Sequence, residues 1–255
     1  MNAHSLRRPD RMRHAQQGFT LVELSIAVLI GLFLLGGLLT LLQDMRRTFG
    51  AQNSLGQLQD NERLAMTLIT DVIQAAGYYP DPTLHTLNTT FPGTIPPFNK
   101  AVGQALAGTH SAAAPGDSIS VQFNTALNDG VINCTGGSNT AFGGNHVFTN
   151  TFSVTALNQG QLLCSLDGAA AVPLITGVQN LQVLYGVKRN FAVANNNVDT
   201  FLNATLMLPA DWGNVICVKV TLTFTNPLAA TQPGLPTIPF TRVVTVMSRA
   251  GANTT

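Results

Sequence analysis

The feature that most constrains this chain is an apolar stretch at residues 19–42, in which Glu23 is the only charged side chain. A helix rises about 1.5 Å per residue, so a helix of this length would extend roughly 36 Å, enough to cross the hydrocarbon core of a bilayer. A carboxylate is costly to bury in lipid, and membrane segments that keep one usually use it. The stretch therefore predicts a membrane-spanning helix with one functional acidic residue.

A short basic segment precedes this apolar stretch. It carries several arginines against a single acid, Asp10: Arg7, Arg8, Arg11 and Arg13. Positive charges beside a membrane segment favour the cytoplasmic side, which puts everything after residue 42 across the membrane. A cleavable secretory signal is the alternative, but the apolar stretch exceeds the usual length of such a signal, and no small-residue cleavage site follows it.

Residues 18–24, where the basic and apolar segments meet, read GFTLVEL. Behind a basic leader and ahead of an unbroken apolar helix, this sequence resembles the signal of type IV pilins and of the pseudopilins of type II secretion. The resemblance implies that a prepilin peptidase cleaves between Gly18 and Phe19 and methylates the new N-terminal residue, Phe19. The leader, residues 1–18, is then lost and the apolar helix is retained.

The same resemblance implies a role for Glu23 in subunit register and assembly. Cleavage creates an amine on Phe19, and the carboxylate of Glu23 can pair with that amine on a neighbouring subunit. Two groups that are costly in lipid would then satisfy each other. The alternative is that the Glu23 side chain only extends to the membrane interface from the first turns of the helix. The full motif favours the pairing role.

Length and charge limit the remaining possibilities. At 255 residues the chain can hold a membrane helix and one domain with its own hydrophobic core. The formal charge of +1 becomes slightly negative once the arginine-rich leader is removed, so no nucleic-acid partner is implied. Charged residues make up 10% of the chain, and uncharged polar residues abound, as is typical of exported β-rich proteins.

The chain has three cysteines, Cys134, Cys164 and Cys217. In an oxidising compartment an odd count suggests one disulfide and one free thiol. Cys134 and Cys164 both flank loop-like sequence, so we predict that they pair, which would stabilise the fold by about 3 to 4 kcal/mol. Three unpaired thiols are the alternative. The sequence does not determine the state of Cys217, and no cysteine or histidine spacing supports a zinc site.

The helical pattern continues beyond the apolar stretch. Residues 19–76 contain no proline, and apolar side chains recur at three- and four-residue steps in the second half: Leu55, Leu58, Ala65, Ile69, Val72 and Ala76. This pattern predicts one continuous helix of roughly 87 Å that packs its second half on the rest of the protein and ends at Gly77. Glycines in the membrane half, at positions 31, 36 and 37, favour either close helix packing or local melting.

Strand-like segments follow the helix. Prolines first interrupt regular structure between residues 80 and 97. Alternating apolar residues then predict strands at 118–123, 147–157, 161–165, 178–187, 215–224 and 241–247. A helix followed by strands predicts an α+β fold, a long N-terminal helix packed on an antiparallel β-sheet. The expected parts are the membrane half of the helix, 19–42, its amphipathic half, 43–77, and a β-rich domain, 78–255.

Later segments narrow the resemblance. LQDNERLAMTLITDVIQAAGYYP at 58–80 is followed by QLLC, VQNLQVLYGV, DWGNVICVKVTL and TRVVTVMSR. These segments resemble PilW-type minor pilins, in the same order. The resemblance implies that the partners are prepilin peptidase, other minor pilins, the major pilin, the inner-membrane assembly platform and membrane lipid. No cofactor is implied. Where relatives often have an aspartate-rich turn, residues 188–199 hold one acid, Asp199, which does not favour a calcium site.

The sequence does not indicate an enzyme. His85, His110 and His146 remain after loss of the leader, and none has an acid or nucleophile at a recognisable spacing. No hydrolase, metalloprotease or nucleotide-binding motif is present. The single tryptophan, Trp212, precedes a predicted strand, and a buried anchor is the favoured interpretation over a partner-facing aromatic.

These features together predict a PilW-type minor pilin that takes part in initiating a bacterial type IV pilus within a tip complex. The protein would span the inner membrane once, with its C-terminal domain in the periplasm, and then reach the pilus and the cell surface. One alternative is the J-type minor pseudopilin of type II secretion. Another is a membrane-anchored adhesin or ligand-binding module that acts through loops at residues 133–145 and 190–199.

Overall fold

The computed structural model describes residues 18–91, 93, 102–157, 160–192 and 197–249. Residues 1–17 of the predicted leader and the prolines at positions 92, 96 and 97 lie outside these ranges. The chain divides into two compact units, Met1–Gly50 and Ala51–Thr255. Helix α1, Leu21–Gln74, begins in the first unit and ends in the second.

In the first unit, α1 buries none of its side chains. Its large apolar residues are exposed, from Leu21 at 84% through Phe33 at 80% to Phe49 at 65%. Among the described residues, α1 is the one helix whose length and apolar composition would let it cross a membrane. Apolar side chains that stay exposed along a helix need lipid or other helices to cover them.

In the second unit, α1 buries one face. The buried residues are Leu58, Ala65, Met66, Ile69, Val72 and Ile73. The predicted packing of this half of the helix is therefore confirmed. Gly77 follows the helix with a φ of 71°, in the left-handed region that glycine adopts without strain. The helix ends at Gln74, slightly before the predicted end, because Ala76 N–H bonds to the Ile73 carbonyl in a tighter turn.

The rest of the second unit is built mainly from two antiparallel sheets. The first is a five-stranded sheet whose strands are neighbours in chain order. Its strands are β1 (Leu106–Thr109), β2 (Ser118–Thr125), β3 (His146–Thr155), β4 (Gln161–Leu166) and β5 (Val172–Thr176). The second is a four-stranded sheet of order β7-β6-β8-β9. Its strands are β6 (Val178–Val187), β7 (Thr200–Leu202), β8 (Val215–Thr225) and β9 (Thr237–Thr245).

All the predicted strands are present, and the predicted α+β class is confirmed. The structure adds β1, β5 and β7, and it has two sheets where the sequence analysis expected one. The three additional strands are short, with four, five and three residues, and their sequences LAGT, VPLIT and TFL lack strict alternation of apolar and polar residues. Each lies at the edge of its sheet, where a short segment, or one with a proline such as Pro173, is tolerated.

One hydrophobic core joins the buried face of α1 to both sheets. Its largest fully buried side chains include Phe123, Phe148 and Phe152 from the first sheet and Tyr185 and Phe224 from the second. Burial alternates along β8, where Val218, Val220 and Leu222 face the core and the residues between them are partly exposed. Inward-facing residues of the two sheets therefore carry most of the apolar burial that stabilises the domain.

A main-chain junction ties the two sheets together just before β2. Asp117 N–H donates to the Leu181 carbonyl (2.7 Å), and Leu181 N–H donates to the Pro115 carbonyl (3.1 Å). Between these bonds, Gly116 has a φ of 94° and lies so close to Leu181 that a Cβ would overlap the Leu181 carbonyl oxygen. Glycine is therefore required at position 116, both for its backbone conformation and for space.

Candidate functional site

The N-terminal motif forms a reciprocal cap at the start of α1. Glu23 Oε2 accepts hydrogen bonds from the Thr20 N–H (3.1 Å) and the Thr20 hydroxyl (3.0 Å). In return, Thr20 Oγ1 accepts from the Glu23 N–H (3.3 Å). This capping box satisfies amide groups that the first turn of a helix leaves unpaired. This local role was not predicted, although Thr-x-x-Glu is a sequence signature of a helix start.

Both bonds that Glu23 accepts end on the same oxygen, Oε2. The carboxylate can therefore hold the cap and still offer Oε1 to a donor from another molecule. The predicted cleavage site, between Gly18 and Phe19, lies before the first helical residue, Leu21, and Phe19 is 88% exposed. Cleavage, methylation of Phe19 and pairing by Glu23 stay predictions.

The predicted disulfide is confirmed. Cys134 and Cys164 are bonded, with 6.2 Å between their Cα atoms and a sequence separation of 30. Both residues are buried, and the Cys134 N–H donates to Asn150 Oδ1 on the neighbouring strand (2.8 Å). Cys217 is a free, buried thiol on β8, and burial raises the pKa of this thiol. A raised pKa keeps the thiol protonated and unreactive.

The disulfide anchors the long loop between β2 and β3, residues 126–145. Polar side chains shape this loop from within: the Asp129 carboxylate accepts the N–H groups of Ala126 and Val131. Asn139 Nδ2 donates to the carbonyls of Thr125 (3.0 Å) and Gly144 (2.8 Å). The loop at residues 133–145, one of the two named for the adhesin alternative, is thus held in place by internal hydrogen bonds.

An aromatic stack sits at the end of this loop. Phe142 is 53% exposed, and its ring lies 3.6 Å from that of His146 at an interplanar angle of 10°. His146 Nε2 is hydrogen-bonded to Asp167 Oδ2 (2.9 Å), and Asp167 Oδ1 accepts the Thr149 N–H (2.7 Å). The stack therefore presents an exposed aromatic ring on a hydrogen-bonded support.

A second histidine–aspartate pair lies between the two sheets. The Asp117 carboxylate is buried, and its Oδ1 bonds to His110 Nδ1 (2.8 Å) and accepts the Ser111 N–H (2.9 Å). Its Oδ2 accepts the Val183 N–H of β6 (2.7 Å). The sequence analysis found no acid partner for His110, because this pair forms across a turn. Neither His110 nor His146 is hydrogen-bonded to a hydroxyl or thiol of the described residues.

The connection after β6 contains an ionic corner. Arg189 binds Asp211 through both carboxylate oxygens, Nε to Oδ1 (3.0 Å) and Nη2 to Oδ2 (2.6 Å), and this contact holds the pKa of Asp211 below its usual value. Asp199 Oδ2 accepts the N–H groups of Asn190 and Arg189, and these bonds lower its pKa. The Asp199 carboxylate, the one acid of the 188–199 segment, is thus occupied by main-chain donors.

Two further predictions concern this corner. Trp212 packs on the core, with its ring 4.8 Å from that of Tyr185 in an edge-to-face arrangement. The interpretation of Trp212 as a core anchor is therefore favoured. The second loop named for the adhesin alternative, 190–199, is described only at its two ends, since residues 193–196 lie outside the described ranges.

Two separate parts of the chain match known protein families. Residues 13–39 match the prokaryotic N-terminal methylation motif, and residues 142–236 match the family described as type IV pilus-assembly protein W. Over residues 142–236 the chain is therefore similar to the PilW family. No curated protein and no solved structure matches it significantly.

The PilW match begins at the exposed ring of Phe142 and ends directly before β9. It includes Cys164 and the ionic corner at Arg189 and Asp211. Similarity to a pilus-assembly family implies partners in the pilus machinery, and the methylation motif implies prepilin processing. Together with the apolar helix α1, this motif indicates that the chain is anchored in a membrane.

Proposed function

We propose that this PilW-family protein is a minor pilin that helps to initiate type IV pilus assembly within a tip complex of minor pilins. The observation that carries the proposal is the methylation motif at residues 13–39, which runs directly into an apolar helix that buries nothing within its own unit. The match to a pilus-assembly family favours the pilus over the J-type pseudopilin role.

Maturation follows from the position of the motif. Prepilin peptidase cuts between Gly18 and Phe19 on the cytoplasmic face and methylates Phe19. The scissile bond precedes α1, so cleavage leaves the helix intact. The mature chain then stays in the inner membrane through residues 19–42, with its C-terminal domain in the periplasm. During assembly it leaves the bilayer for the fibre and reaches the cell surface.

Assembly exchanges lipid for neighbouring helices around α1. Lipid tails are as apolar as leucine, so moving apolar side chains from lipid to a protein neighbour contributes little free energy of association. Close packing and polar contacts between the helices must therefore stabilise the assembly. Gly36 and Gly37 have open space where a side chain would be, so another helix backbone can approach closely there. These contacts would hold the protein beside other minor pilins and the major pilin.

Glu23 supplies the polar contact in this scheme. Its Oε2 holds the cap on Thr20, and its Oε1 accepts from the methylated amine of Phe19 on the adjacent subunit. An ion pair in an apolar fibre core is strongly favoured over either charge alone. Pairing at this one depth therefore sets the axial register of neighbouring helices.

A second candidate function, adhesion, is favoured by one observation. The loop at 126–145 is held by the Cys134–Cys164 disulfide and presents the half-exposed Phe142 ring. A rigid loop with an exposed aromatic ring is a common form of binding surface. Replacing Phe142 with Ala in a chain that still supports normal piliation would test this role, since only ligand attachment should fall.

The main proposal is tested at the cleavage site. N-terminal sequencing of the protein from piliated cells should give a chain that starts at methylated Phe19. Gly18→Trp should leave the leader attached, because a bulky side chain replaces the small residue at the cut, whereas Gly18→Ala should still be processed. Mature protein without α1, or fully processed Gly18→Trp protein, would contradict the proposal.

A further inference from the structure

We propose that the free edge of β9 is a docking site for an extended segment of another pilus subunit, which adds to the four-stranded sheet as a further strand. Four strands form the edges of the two sheets: β1, β5, β7 and β9. The first three have four, five and three residues, whereas β9 has nine. Short edge strands protect a sheet from added strands, and a long one invites them.

Hydrogen bonds at the two ends of the β8–β9 ladder fix which groups of β9 point outward. Asn226 N–H donates to the Pro236 carbonyl, and Val246 N–H donates to the Ile216 carbonyl, both at 2.9 Å. Even-numbered residues of β9 therefore bond to β8, and main-chain groups alternate along an antiparallel strand. The outward groups belong to the odd-numbered residues: Thr237, Pro239, Thr241, Val243 and Thr245.

This edge is open over most of its length. Thr241, Val243 and Thr245 are exposed and point their N–H groups away from the sheet. No described residue outside β9 bonds to those groups. Pro239 also occupies an outward position but has no N–H, so it limits strand addition to the C-terminal part of the edge. The available ladder thus runs over residues 241–245.

The side chains of the even-numbered residues of β9 indicate which residues an added strand should carry. Phe240 is half-buried and packs edge-to-face on Phe224, at 5.8 Å between ring centres, and Val244 is buried. Between them Arg242 is exposed and forms no salt bridge with the described residues. An added strand with alternate residues apolar, acidic and apolar would cover Phe240 and pair the guanidinium.

The same pattern argues against a second copy of this chain as the occupant. Pairing about a two-fold axis at Arg242 would place two arginines directly opposite each other, and like charges at that position destabilise a sheet. An axis at Thr241 or Val243 would place Arg242 opposite Phe240 or Val244, neither of which carries a charge to pair with the guanidinium. The proposal rests on the proposed function for the class of partner, another subunit of the pilus.

The test uses the full-length protein, purified in detergent with the minor pilins co-expressed from the same bacterium. Amide hydrogen exchange at Thr241, Val243 and Thr245 should slow by about tenfold or more in the complex relative to the chain alone. Unchanged exchange in a complex that does form would overturn the proposal. Slowing that depends on the concentration of this chain alone would assign the edge to a second copy, and would equally overturn it.

Val243→Pro removes one outward N–H and should weaken co-purification of the other minor pilins by about tenfold or more. The fold should survive, because Pro239 already occupies an equivalent outward position. Val243→Thr keeps the N–H and is the matched control, expected to stay within about threefold of the wild type. Arg242→Glu should also weaken the complex, while Arg242→Lys should retain it.

Two results separate this inference from the proposed function. If deleting the gene abolishes piliation but Val243→Pro assembles normally with wild-type partner recovery, the edge inference fails and the minor-pilin role stands. If deletion leaves initiation of the pilus unaffected, the minor-pilin role fails by itself. Processing of Val243→Pro at the Gly18–Phe19 bond confirms that the variant reaches the membrane correctly.

Discussion

At the scale of single residues, Asp117 shows how one buried carboxylate can join separate parts of a chain. Its two oxygens accept from the turn before β2 and from the middle of β6, which belong to different sheets. A buried carboxylate is costly unless each oxygen is satisfied, and here both are. The residue therefore fixes the junction at which Gly116 brings the sheets into main-chain contact.

Asp117→Asn should destabilise the domain by about 1 to 3 kcal/mol, because an amide nitrogen would replace Oδ2 and face the Val183 N–H, leaving two donors without an acceptor. Asp129→Asn is the matched control: this aspartate also accepts two backbone N–H groups but is exposed, so its loss should cost about 0.5 kcal/mol or less. Urea denaturation measures both. Equal losses in the two variants would show that burial of Asp117 is unimportant.

At the scale of elements, the disulfide turns a glycine-rich loop into a fixed part of the first sheet. It joins Cys134 in the loop at 126–145 to Cys164 in the middle of β4. The side-chain amide oxygens of Asn150 and Asn133 accept the N–H groups of Cys134 and Thr135, and these bonds add to the attachment. The loop is consequently held to the core at Cys134, although its sequence has the composition of an irregular segment.

Removing the bond by replacing Cys134 and Cys164 with Ala should lower the free energy of unfolding by about 3 to 4 kcal/mol, as expected for a closed loop of this length. Cys217→Ala, which leaves the bond intact, should cost about 1 kcal/mol. A reductant should destabilise the wild type and Cys217→Ala alike and leave the double variant unchanged. A reductant effect on the double variant would contradict this explanation.

At the scale of the whole molecule, the proposed role needs a helix whose two halves lie in different environments. The first unit exposes nearly continuous apolar side chains, and the second buries the same helix in a core shared with both sheets. One end thus depends on lipid or partner helices for cover, and the other is stabilised within the chain. A fibre subunit requires this division, because only the uncovered end is free to pack with other subunits.

Removing the negative charge of Glu23 distinguishes its role in capping the helix from its proposed role in pairing with a neighbouring subunit. An amide can still accept the bonds from Thr20, so Glu23→Gln keeps the capping box but loses the ion pair. We expect Glu23→Gln and Glu23→Ala to impair piliation to a similar extent, with membrane insertion and cleavage retained. Thr20→Val, which loses the hydroxyl but keeps the charge, should be the milder change. Counting pili per cell measures the effect, and normal counts in Glu23→Gln would assign Glu23 to capping alone.

The sequence by itself determined whatever depends on local pattern. Residue spacing indicates the apolar stretch at 19–42, the end of the helix to within a few residues of Gly77, and the longer strands, because helix and strand periods are local properties of the backbone. GFTLVEL likewise carries the processing signal in consecutive residues, which is why the methylation motif could be recognised before any fold was known.

Only the tertiary structure decided the contacts between distant residues. The pairing of His146 with Asp167 and the clasp of Arg189 on Asp211 join residues 21 and 22 positions apart, where no local period brings them together. The division into two sheets and the open edge at β9 depend on which strands find partners, and that is settled by packing around the shared core. Strand pairing depends on contacts between residues that are far apart in the sequence. Local patterns can therefore predict where the strands lie without predicting which strands pair.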